Sequence, residues 1–111
     1  MGTSEVFGFA HDNMGAARKA VESALSISLE EKEESMPPGE CFYIWYVPDG
    51  PCVQLRRNSG PYQRWQGDPS NPWHPDYGVL VYVHGQAREP TVEALKQNVP
   101  GLSFLETMPT M

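Results

Sequence analysis

Apolar residues recur along this chain with two periods, two and 3.6, and the changes between them mark out strands and helices. The densest stretch covers residues 41–58, CFYIWYVPDGPCVQLRRN. In its first half Cys41, Tyr43, Trp45 and Val47 share one face and Phe42, Ile44 and Tyr46 the other, because successive strand side chains point to opposite sides. Both faces are apolar or aromatic, which predicts a strand inside a sheet and covered on both sides. Pro48-Asp49-Gly50-Pro51 reads as a tight turn: Asp-Gly is a hairpin signal, and the prolines stop the ladder. The second half sets Val53, Leu55 and Arg57 against Cys52, Gln54, Arg56 and Asn58, the pattern of a half-buried strand. Centring the turn between Asp49 and Gly50 pairs Cys52 with Val47 and Cys41 with Asn58. The thiols then lie about 20 Å apart at ~3.3 Å per residue. A disulfide needs Cα atoms within ~7 Å, so two free thiols are expected, as in a reducing compartment.

The flanking segments obey the same logic. Residues 5–10, EVFGFA, read as a short strand. Asp12 or Asn13 then caps a helix whose apolar side is Met14, Ala17, Val21, Ala24 and Leu25. Residues 26–29 alternate like a strand, whereas Glu30-Glu31-Lys32-Glu33-Glu34 would sit equally well on a helix. A break near Ser26 and an edge strand over 27–35, its charges facing water, is the expectation. Residues 78–85, GVLVYVHG, form a second internal strand, with Val79, Val81 and Val83 on one face and Leu80, Tyr82 and His84 on the other. Pro90 opens a second helix as a first-turn proline, with Val92, Leu95 and Val99 inward, and residues 102–108 return as a last strand. Together the pattern β-α-β-β-β-loop-β-α-β predicts an α+β fold: a mostly antiparallel sheet of about five to six strands with two helices packed on one face. A single domain over residues 1–111 is expected.

Between the hairpin and the second internal strand lies SGPYQRWQGDPSNPWHPDY, residues 59–77. Four prolines and two glycines there forbid regular structure over most of it. Loops of this length in small domains are usually functional or disordered, and the aromatics Tyr62, Trp65, Trp73 and Tyr77 argue against disorder. Tyr62, Arg64, Trp65, Trp73 and Tyr77 are the residue types enriched in binding hot spots, so this loop is a candidate partner contact. The alternative is that its tryptophans cap the sheet. Glu30, Glu31, Glu33 and Glu34 form a second candidate contact, an acidic surface for a basic partner, against the plainer reading of a charge-protected edge.

Composition narrows the field. The chain has 111 residues, 40% hydrophobic and 11% aromatic, enough for one core and unlike a disordered chain. A net charge of -6 argues against nucleic acid or an anionic membrane as partner. No apolar run reaches the ~20 residues of a membrane span, and no signal-peptide layout opens the chain, so a cytoplasmic location is expected. No phosphate loop, dinucleotide fingerprint or nucleophile elbow is present, and no cofactor or catalytic residue is assigned. His11, His74, Asp76 and His84 are the residues from which a metal site would have to be built. Their spacing matches no metal motif, and no metal is expected.

The layout, VFGFAHDNMGAARKAVESALSIS, an acidic stretch, CFYIWYV, GVLVYVHG and a last helix and strand, resembles small bacterial immunity proteins encoded beside secreted polymorphic toxins. That resemblance implies inhibition by binding, without catalysis, of a protein partner such as a basic toxin or nuclease domain. It carries over no individual residue and no oligomeric state. The opening β-α-β-β-β also resembles one module of the vicinal oxygen chelate fold. That likeness implies a small-molecule-binding or metal-dependent protein, with Tyr43, Trp45 and Tyr82 as an apolar lining.

Overall fold

Alternation and helical spacing resolve into β1 (Gly2–Phe9), α1 (Met14–Leu25), β2 (Glu30–Ser35), β3 (Pro38–Tyr46), β4 (Pro51–Arg57), β5 (Val79–Gly85), α2 (Glu89–Asn98) and β6 (Leu102–Thr110). The structure is a computed structural model and describes residues 2–35, 38–57 and 76–110. One sheet takes in all six described strands in the order β2-β3-β4-β5-β1-β6. Every neighbouring pair is antiparallel, so the α+β expectation holds. No helix among the described residues is long and apolar enough to cross a membrane.

Register decides what each face carries. Phe7 pairs with Val81 and Phe9 with Val79, while Val53 pairs with Val83 and Leu55 with Val81. These seven residues therefore share one side of the sheet. They form a single buried cluster with Ala17 and Val21 of α1 and Val92 and Leu95 of α2. Both helices thus lie on this face, and each fully buried aliphatic there contributes on the order of 1.5–3 kcal/mol.

The ends of α1 are set by its sequence. The Asn13 side chain accepts the Ala16 amide hydrogen at 3.0 Å. Ser26 closes the helix in the left-handed region at φ 56, its N–H bonded to the Glu22 carbonyl, a standard way to satisfy a last-turn carbonyl. α2 begins with Pro90 in its first turn and no side-chain cap, tolerable because a first-turn amide has no intrahelical partner anyway.

Three expectations change. The hairpin register is one residue off the expected pairing: Tyr46, not Val47, faces Cys52, and Trp45 faces Val53. The turn is Val47–Gly50, not 48–51. Val47 N–H donates to the Pro51 carbonyl at 3.0 Å and Gly50 N–H to the Val47 carbonyl at 2.8 Å, with Asp49 at φ 60. Proline lacks an N–H but keeps a carbonyl, so Pro51 closes the loop instead of sitting inside it. Second, β3 is internal but not covered on both sides: Phe42 and Ile44 are only half-buried and Tyr46 is 62% exposed. Third, the edge strand begins at Glu30, and Leu29 before it is buried in the core.

Candidate functional site

Among the described residues, β2 is the most charged strand. It ends the strand order and, among the described residues, pairs with β3 alone. Glu31 and Glu33 lie opposite Tyr43 and Cys41, on the helix side, and Glu30 and Lys32 opposite Ile44 and Phe42, on the other. All four side chains are exposed. Lys32 Nζ bonds Glu30 Oε1 at 2.9 Å, and this hydrogen bond holds the lysine above its usual pKa. Glu31 and Glu33 are left as solvent-facing carboxylates. Glu34 continues the strand, but its side chain lies outside the described residues. Behind the edge, Arg18 lies 4.5 Å over the Tyr43 ring on the helix side, and Arg56 lies 4.1 Å over the Phe42 ring on the other.

The aromatic loop is a different matter. Tyr62, Arg64, Trp65, Trp73 and His74 lie outside the described residues. Tyr77 is half-buried, and its Cγ would stand 2.8 Å from a Cβ built on Gly8. It therefore packs on β1, on the face away from the helices. Asp76 is exposed.

The two described histidines, His11 and His84, do not converge. His11 stacks on Phe9, and its Nδ1 accepts the Asn13 amide hydrogen. Phe9 faces Val79 at the start of β5, whereas His84 stands five residues further on, about 17 Å away at ~3.3 Å per residue. Among the described residues no three of the His, Cys, Asp and Glu side chains come together. The proposed apolar lining does not assemble either. Tyr43 and Trp45 pack against the helix-side core, while Tyr82, opposite Gln54, is on the other face. Trp45 instead floors an open groove of about 410 Å³ between Ala24, Leu25 and Ile27 on one side and Pro90, Thr91 and Ala94 on the other.

The second face carries a polar row that no local pattern announces. Cys52 is directly opposite His84, and Gln54 opposite Tyr82. Ser4 follows the last β1–β5 rung, Glu5–Val83, and shares this face with Val6, opposite Tyr82. Ser4 is 3% exposed, and among the described residues its hydroxyl shows no hydrogen bond. Burial pushes the Cys52 thiol up, opposed by its hydrogen bond with Gln54. Burial also pulls His84 below 6.5, helped by the Arg88 charge. Thiol and imidazole are thus both kept neutral at pH 7. Neither cysteine is in a disulfide.

No protein-family model matches the chain, and no curated protein or solved structure matches it significantly.

Proposed function

We propose that this protein is a non-catalytic binding module that engages a basic protein partner through the acidic edge of its sheet. In the narrower form of this reading it is an immunity-type inhibitor that occludes a secreted bacterial toxin, such as a nuclease domain. The observation that carries it is the edge strand β2, where Glu30, Glu31 and Glu33 are exposed and a single lysine offsets them. A charged edge blocks pairing with a second copy and at the same time attracts a partner of opposite sign. The net charge of -6 extends that attraction beyond the edge and speeds encounter. Two cysteines outside any disulfide suit a reducing compartment, and we place the protein in the cytoplasm.

The test is co-expression with the toxin domain that this reading expects beside its gene, followed by calorimetry with chelator present at low and high salt. The expected result is relief of toxicity and one-to-one binding that weakens as salt rises. The triple variant Glu30→Gln, Glu31→Gln, Glu33→Gln should bind about tenfold more weakly, since three rim charges contribute about 0.5 kcal/mol each. Unrelieved toxicity with no binding overturns the inhibitor reading. Unchanged affinity of the folded triple variant removes the acidic edge as the contact.

A further inference from the structure

We propose that Cys52 and His84 form a two-donor chelate for a thiophilic divalent ion, Zn²⁺ first among them, on the sheet face away from the helices. Directly opposite residues on antiparallel strands hold their Cβ atoms ~5 Å apart. Zinc takes a thiolate at ~2.3 Å and an imidazole nitrogen at ~2.1 Å. For tetrahedral angles those bonds place sulfur and nitrogen about 3.6 Å apart, a separation that two side chains rising from adjacent strands reach by converging slightly.

The surroundings favour the pair as ligands. Neither Cys52 nor His84 is bonded to the other, and His84 shows no side-chain hydrogen bond among the described residues. Its ring nitrogen lone pair is therefore available. Ser4 adds an independent sign. Ser4 is 3% exposed, and a buried hydroxyl with no hydrogen bond among the described residues is costly unless something satisfies it. It follows the last β1–β5 rung, Glu5–Val83, on the same face of the sheet as His84. With two protein donors, two tetrahedral positions remain, for water, for Ser4 or for a donor from a bound molecule. Arg88 opposes a cation near His84, and the thiolate charge offsets it. Binding releases the thiol proton, so affinity rises with pH.

The full chain, reduced and stripped with chelator, is titrated with Co²⁺ as a spectroscopic stand-in for Zn²⁺. One equivalent should produce thiolate-to-cobalt charge-transfer absorption that Zn²⁺ then removes. Cys52→Ser and His84→Gln should each abolish it, and Cys41→Ser should leave it intact. In the unmutated protein, Zn²⁺ should also protect Cys52 but not Cys41 from alkylation, read by peptide mass. That arm needs no variant to fold. The proposal is overturned if no absorption appears, if either the Cys52→Ser or the His84→Gln variant keeps the spectrum, or if Zn²⁺ leaves Cys52 alkylation unchanged.

Discussion

Arg88, in the turn between β5 and α2, donates through Nε to the Glu5 carboxylate of β1, and the two residues are 83 positions apart in the chain. The same guanidinium bonds the Thr3 hydroxyl and the Gly85 carbonyl. One side chain thus ties the end of β5, the entry to α2 and the centre of β1 together. With exposures of 20% for Arg88 and 17% for Glu5, the pair is largely screened from water. Arg88→Ala strands a half-buried carboxylate, so a loss of about 2 kcal/mol is expected. Arg88→Ala with Glu5→Gln should lose less than the sum of the two single changes. Denaturant midpoints of the four proteins measure it, and strict additivity would show that the pair is not coupled.

Glu22 plays a comparable part at the start of β2. Its carboxylate accepts the Leu29 amide hydrogen at 2.7 Å and Arg18 Nε at 3.2 Å, while Arg18 donates to the Leu29 carbonyl at 2.8 Å. Both polar groups of a buried residue outside any strand are satisfied this way. Glu22→Ala should cost about 1–2 kcal/mol and speed hydrogen exchange at the Leu29 amide. Unchanged protection at Leu29 would mean that the core, not the carboxylate, holds the segment.

Much of this architecture is legible in the sequence because local chemistry specifies it. Asp12 or Asn13 can cap only the helix that starts at Met14, Val79, Val81 and Val83 alternate, and a break near Ser26 lets the charged run Glu30–Ser35 serve as an edge. The one-residue hairpin shift was hidden because it turns on which carbonyl closes the loop. Asp-Gly flanked by two prolines is compatible with a turn at 47–50 or at 48–51, and only the Val47–Pro51 bond separates them. Candidate sites were harder still. His84 meets Cys52, a residue 32 positions earlier, through the pairing of β4 with β5, and no local spacing encodes a pairing across such a connection. Trp65 and Trp73, which composition singles out, lie outside the described residues.

Gly8 is required by packing on the face opposite the helices. A Cβ there would meet Tyr77 Cγ at 2.8 Å, Tyr77 Cβ at 2.9 Å and Leu105 Cδ1 at 2.9 Å. Leu105 can swing its terminal methyl away, but the root of the tyrosine side chain cannot move without its backbone. Gly8→Ala should therefore lose about 1–3 kcal/mol through overpacking, despite alanine's lower backbone entropy cost. Thermal unfolding of Gly8→Ala alone and combined with Tyr77→Ala tests this. The second change should recover part of the loss relative to Tyr77→Ala by itself, and no recovery would refute the contact.

Alkaline pH should weaken the fold through Tyr82. Burial pushes this hydroxyl above 10.0, and Glu106 pushes it the same way while Arg56 opposes. The unfolded chain ionises its tyrosine near pH ~10, whereas the folded protein keeps this proton to higher pH. Over that interval the folded state binds more protons, so stability falls as pH rises past 10 and is unaffected below it. Tyr82→Phe keeps the ring and removes the proton. Urea midpoints compared at about pH 8 and about pH 11 should drop further for the unaltered protein than for Tyr82→Phe. Equal drops would assign the alkaline loss to other groups and would place the Tyr82 hydroxyl in contact with solvent.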